Sequence, residues 1–63
     1  MNAAAGEVTV FAPGETVRLN SGGPVMTVLD QGRHSGLVWC RWMGEDDAVM
    51  EAKFPPEALC PQG

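Results

Sequence analysis

The hydrophobic pattern of the chain is a series of short runs with period two. Thr16-Val17-Arg18-Leu19 alternates polar and apolar residues, which aims Val17 and Leu19 at one face of a strand. Val25-Met26-Thr27-Val28-Leu29-Asp30 predicts a second strand. Leu37-Val38-Trp39-Cys40-Arg41-Trp42-Met43, rich in aromatic and branched residues, predicts a third. Ala48-Val49-Met50-Glu51-Ala52-Lys53-Phe54 predicts a fourth, with Met50, Ala52 and Phe54 on its inward side. Upstream, Glu7-Val8-Thr9-Val10-Phe11 has the same alternation, whereas Met1 through Gly6 offers no periodic apolar face. Residues 1–10 are therefore expected as a flexible N-terminal arm or an edge strand.

The runs are separated by turn chemistry. Ala12-Pro13-Gly14, Asn20-Ser21-Gly22-Gly23-Pro24, the Gly-bounded polar segment Gln31 to Gly36, and the acidic Gly44-Glu45-Asp46-Asp47 each break the pattern. Pro55-Pro56 ends the fourth run, and Pro56-Glu57-Ala58-Leu59 suits one 3-10 turn that returns Leu59 to the core. Strands at a spacing of roughly 8–12 residues with turns between them predict a small all-β barrel.

The third run is the most informative. Val38, Cys40 and Trp42 share one face, and Trp42 is expected in the core with Phe54 and Leu19. Leu37, Trp39, Arg41 and Met43 share the other, which is too apolar for ordinary solvated surface unless something covers it. Trp and Arg are the residues most enriched at binding hot spots, so these four form the candidate partner-binding set, for a protein partner or a second copy of the chain. Cover by residues 1–11 is the competing explanation.

Size and charge narrow the function classes. The 63 residues, 44% hydrophobic and 19% charged, suffice for one small domain. Such a domain buries only about 60% of the surface its unfolded chain exposes, which leaves no room for a deep catalytic cavity, and no enzymatic activity is expected. A net charge of −4 repels phosphate backbones and anionic membranes, and the cations Arg18, Arg33, Arg41 and Lys53 are scattered, so nucleic acid is the less favoured partner. No run approaches the roughly 20 apolar residues that span a bilayer, and no export signal stands at the start. A cytoplasmic protein with Cys40 and Cys60 as free thiols is the expectation, Cys40 facing the core and Cys60 in the tail.

Candidate chemistry is thin. The Ser21-Gly22-Gly23-Pro24 turn offers backbone amides to an anion, but it lacks the Gly-Lys-Ser/Thr ending of a phosphate loop and leads into no helix. His34, Cys40, Cys60 and the four Met residues include soft ligands, yet no Cys-x-x-Cys or His-x3-His spacing, so no metal or other cofactor is expected. Ser21, Ser35, Cys40 and Cys60 have only His34 as a base and no orienting third group. Glu45-Asp46-Asp47 lacks the spaced ligands of a calcium loop and reads as a solvated hairpin tip.

Taken together, Phe11, Gly14, Val17, Leu19, Ser21-Gly22-Gly23-Pro24, Met26-Thr27-Val28, Cys40-Arg41-Trp42 and Phe54 through Leu59 resemble the YodC-like family of small bacterial proteins, a domain of unknown function. The resemblance covers about residues 11–60. It implies an SH3-like β-barrel of four to five short antiparallel strands with a short C-terminal 3-10 turn, residues 61–63 being a tail. Ser21, Gly22, Gly23, Pro24, Met26, Cys40, Trp42 and Phe54 then serve as its structural motif. Asn20 stands where the family has Lys, and Met43 where it has an aromatic residue, so any anion site at the turn is weakened. The resemblance brings no activity with it. The expected function is a non-enzymatic interaction module, with an accessory nucleic-acid-binding role through Trp39, Arg41, Arg18 and Lys53 as the alternative.

Overall fold

The computed structural model describes residues 9–62. Alternation becomes five strands: β1 Thr16–Leu19, β2 Met26–Gln31, β3 Val38–Met43, β4 Val49–Phe54 and β5 Leu59–Pro61, with 3-10 turns at Glu45–Asp47 and Pro56–Ala58. All neighbours are antiparallel, in one sheet of order β4-β3-β2-β1-β5. The all-β expectation and the closing 3-10 turn are correct. Closure is not: β4 and β5 lie at opposite edges and do not pair, so the sheet stays open.

The C-terminal end of the chain differs from expectation. Pro61, placed in the tail by sequence, belongs to β5 opposite Val17, and the Gln62 amide donates to the Thr16 carbonyl at 2.9 Å. Cys60 is likewise a strand residue, opposite Arg18. Of the expected N-terminal arm or edge strand, residues 1–8 lie outside the described residues, and Thr9, Val10 and Phe11 have no strand pairing.

The sheet curls its inner face over a small core of Val17, Met26, Val28, Val38 and Cys40, completed by Phe11 and Leu59. Leu19, Trp42 and Phe54 pack around its margin. Phe11 comes from outside every strand and is held by one side chain. Gln31 accepts from the Phe11 amide through Oε1 at 2.8 Å and donates through Nε2 to the carbonyls of Thr9 and Gly36, both at 3.0 Å. A bulge makes this contact available. Val28 pairs with Cys40, but Asp30 pairs with Trp39 and Gln31 with Val38, so the register slips by one residue. One extra residue moves Gln31 from the outer face to the inner one, where its amide reaches the backbone of Phe11, Thr9 and Gly36.

The turn between β1 and β2 is fixed by backbone chemistry. Gly22 and Gly23 have φ of 109° and 111°, a conformation side chains with a Cβ disfavour. Asn20 joins this turn to the C-terminal one, its amide donating to Ala58 O and its Nδ2 to Glu57 O, both at 2.8 Å. The acidic tip carries φ of 59° at Asp46 and 58° at Asp47, which Asp tolerates better than most residues.

Two outcomes follow from this core. Gln31→Ala removes three bonds to backbone groups, of which those to Phe11 and Gly36 are part-buried and that to Thr9 is exposed, and a lost bond costs about 1 kcal/mol or more where burial leaves the group unsatisfied. A destabilisation of about 1–3 kcal/mol in urea unfolding is expected; an unchanged midpoint would show that the clamp is dispensable. Cys40 is 0% exposed, and burial pushes its thiol pKa up. The unfolded thiol ionises near pH 8.5, so above that pH the unfolded chain loses a proton that the folded chain keeps, and stability falls as pH rises, by at most about 1.4 kcal/mol per unit. Unfolding midpoints compared at about pH 7 and about pH 10 should show this loss in the native sequence and a smaller one in Cys40→Ala.

Candidate functional site

β3 divides its side chains between two environments. Val38 and Cys40 are buried and Trp42 is half-buried, while Trp39, Arg41 and Met43 are exposed on the outer face. The hairpin with β4 sets Trp39 opposite Lys53, Arg41 opposite Glu51 and Met43 opposite Val49. Antiparallel partners share a face, so these six side chains make one continuous patch.

Glu51 organises it. Its Oε2 accepts from Arg41 Nε at 2.8 Å and Nη2 at 2.6 Å, and its Oε1 accepts from the Trp39 indole N–H at 3.2 Å. Lys53 Nζ lies 5.9 Å from the Trp39 ring centroid, within cation–π range. The Arg41 and Glu51 side chains are 51% and 33% exposed, so their ion pair is worth at most about 1 kcal/mol to stability. Its effect is orientation: the indole, 39% exposed, is held on its N–H and over one ring face instead of rotating freely. The patch is apolar at its other end, where Met43 and Val49 are 57% and 58% exposed. Beside it, between β2 and β3, a shallow groove of about 440 Å³ is lined by Val25, Thr27, Leu29, Arg41, Trp42 and Met43.

The remaining sequence candidates are dispersed. Leu37 precedes β3 and is half-buried, its amide donating to Ser35 Oγ at 3.2 Å and its carbonyl accepting from Gly32 at 2.9 Å. Ser21, Gly22, Gly23 and Pro24 form the β1–β2 connection, at a distance in topology from the β3–β4 hairpin. Met26 and Cys40 are core, and Trp42 meets Phe54 at 6.1 Å between ring centroids. Met50 shares the inner side of β4 with Ala52 and Phe54, but at the hairpin end, where it is 44% exposed and lies over Gly44. His34 sits in an exposed loop whose depression, about 360 Å³, is lined by Val10 and Gln31 through Gly36. The Cys60 thiol donates to Arg18 O at 3.5 Å, while Cys40 is sealed in the core. Among the described residues, no group of three or more His, Cys, Asp or Glu side chains comes together.

Lys53 was expected beside Trp39 and Arg41 only under the nucleic-acid alternative, and Glu51 and Val49 were not expected in the site at all. A signal for Glu51 exists: Arg41 and Glu51 are equidistant from Asp46, so folding the third and fourth runs about the acidic turn sets them side by side.

No curated protein and no solved structure matches the chain. The sequence pattern of one family matches residues 12–59, from the turn before β1 to the first residue of β5, and takes in the whole of the β3–β4 patch. With most of its length matched in this way, the chain belongs to the family described as uncharacterized small protein (DUF2158).

Proposed function

We propose that the protein is a non-enzymatic interaction module that binds a protein through the outer face of β3, with Trp39 as its anchor, Arg41 and Met43 beside it, and Leu37 at the strand entrance. The observation that carries this reading is the half-exposed indole held by Glu51 and Lys53. A large aromatic group fixed before binding loses little conformational freedom on docking, which is how hot-spot residues contribute affinity. Core packing does not need it there, since Trp39 points away from the buried cluster.

The charge distribution supports a protein partner over a nucleic acid. Arg41 is already matched by Glu51, which leaves Lys53 as the unmatched cation of the patch in a chain of net charge −4. The dispersed nucleophiles support a non-catalytic role: Cys40 is buried and Ser35 Oγ is occupied by the Leu37 amide. We also read the open sheet as SH3-like in its strand order and in the 3-10 turn before β5, without the closure of a barrel. The motifs Ser21-Gly22-Gly23-Pro24 and Cys40-Arg41-Trp42 support a YodC-like bacterial protein, and two unpaired thiols support a cytoplasmic one.

Trp39→Ala separates a binding role from a structural one. Its unfolding midpoint should correspond to a loss of no more than about 1–2 kcal/mol, while partner capture after nuclease treatment falls at least tenfold. Collapse of the fold, undiminished capture, or capture that depends on intact nucleic acid and weakens steeply with salt would each contradict the proposal.

A further inference from the structure

β4 is one of the two edge strands of the sheet, and among the described residues its backbone is unpaired on the side away from β3. The Gly44 amide donates to Ala48 O at 2.7 Å, next to the Met43–Val49 pair of the ladder. Antiparallel bonding alternates, so Met50, Ala52 and Phe54 bond to β3, and Val49, Glu51 and Lys53 turn their N–H and C=O groups to the edge. The neighbouring pair agrees: Val28, opposite Cys40, spends its own amide on Glu15 O at 2.8 Å, toward β1. Among the described residues, no backbone bond outside the β3 ladder involves positions 49 to 54.

We propose that this edge binds a second copy of the chain, β4 against β4, about a two-fold axis through Ala52. The strand reads Val-Met-Glu-Ala-Lys-Phe, and charge complementarity selects that register. With Ala52 opposite itself, Glu51 faces Lys53 of the second copy and Lys53 faces its Glu51, on the outer face. On the inner face Met50 meets Phe54, and Phe54 meets Met50. Shifting the axis to Glu51 or to Lys53 sets like charges opposite each other, which is unfavourable in cross-strand pairs. Shifting it by half a residue joins the outer face of one copy to the inner face of the other. In the Ala52 register Glu51 and Lys53 exchange backbone bonds in both directions. Val49 faces Pro55 of the second copy, whose carbonyl already accepts from the Ala58 amide at 3.0 Å and offers the Val49 amide its second lone pair, and whose missing N–H leaves no donor unsatisfied. The pairing also covers part of the exposed Met50 and Val49.

A contact between two six-residue strands is small, and the two copies each carry −4, so the dimer is weak and forms with rising concentration. This inference rests on the reading that the β3–β4 patch is an interaction surface, and it extends that patch across the two-fold axis with both Trp39 rings on the same side of a joined sheet.

Sedimentation velocity from about 10 μM to about 1 mM tests it, on the native sequence, Lys53→Glu and Glu51→Lys, each checked for folding by circular dichroism. The native chain should show a monomer–dimer equilibrium. Each variant alone should associate at least tenfold more weakly, because like charges then face each other. An equimolar mixture of the two should form a heterodimer. If Glu51→Lys fails to fold beside Arg41, Arg41→Glu/Glu51→Lys keeps the intramolecular pair in reversed order and serves as the basic partner. A native chain that stays monomeric throughout, variants that dimerise like the native chain, or a mixture that does not associate would overturn the proposal. Trp39→Ala should keep the β4 dimer while losing its protein partner, so the two readings fail separately.

Discussion

One sheet of five short strands has to build the entire hydrophobic core from a single face. That constraint governs the rest of the structure. Val17, Val28, Val38 and Cys40 are all small, so the sheet can curl tightly over them, and the space left is filled by Met26 and by Phe11 and Leu59 from the segments at either end. Because burial is concentrated on the inner side of β2 and β3, the outer side is free of any duty to the fold. Trp39, Arg41 and Met43 can therefore be selected for something else at small cost to stability.

Closing the core at its N-terminal end needs a polar device. Phe11 arrives without a strand partner, and its backbone must still be satisfied once it is covered. The bulge after Val28 turns Gln31 inward, and a carboxamide can accept and donate at once, which no single-function side chain could do for Phe11, Thr9 and Gly36 together. At the other end Asn20 does a similar service between the two turns. Two side-chain amides thus tie together segments far apart in sequence, an economical way to stabilise a domain with so little interior.

The strands were legible because alternation reports directly on a half-buried sheet: Val17 and Leu19, Met26 and Val28, and Val38, Cys40 and Trp42 all lie on the side their spacing indicates. The bulge was not legible, since Leu29 and Asp30 carry no Gly or other local marker and the slip is visible only against β3. Phe11 as a core residue and Gln31 as its clamp both depend on that slip. β5 was too short, and ended by Pro61, to display a period of its own. On the outer face Trp39, Arg41 and Met43 followed from alternation alone, but the pairing of Glu51 with Arg41 and of Lys53 with Trp39 required the hairpin register, which the acidic turn at Asp46 supplies.

The openness of the sheet is the feature on which both the patch and its proposed extension depend, and amide hydrogen exchange along β4 tests it most directly. In dilute solution Met50, Ala52 and Phe54 should be protected, while Val49, Glu51 and Lys53 exchange freely and gain protection as concentration rises. Uniform protection of all six amides in dilute solution would mean that the chain covers its own edge, and would contradict an open sheet with β4 available to a partner.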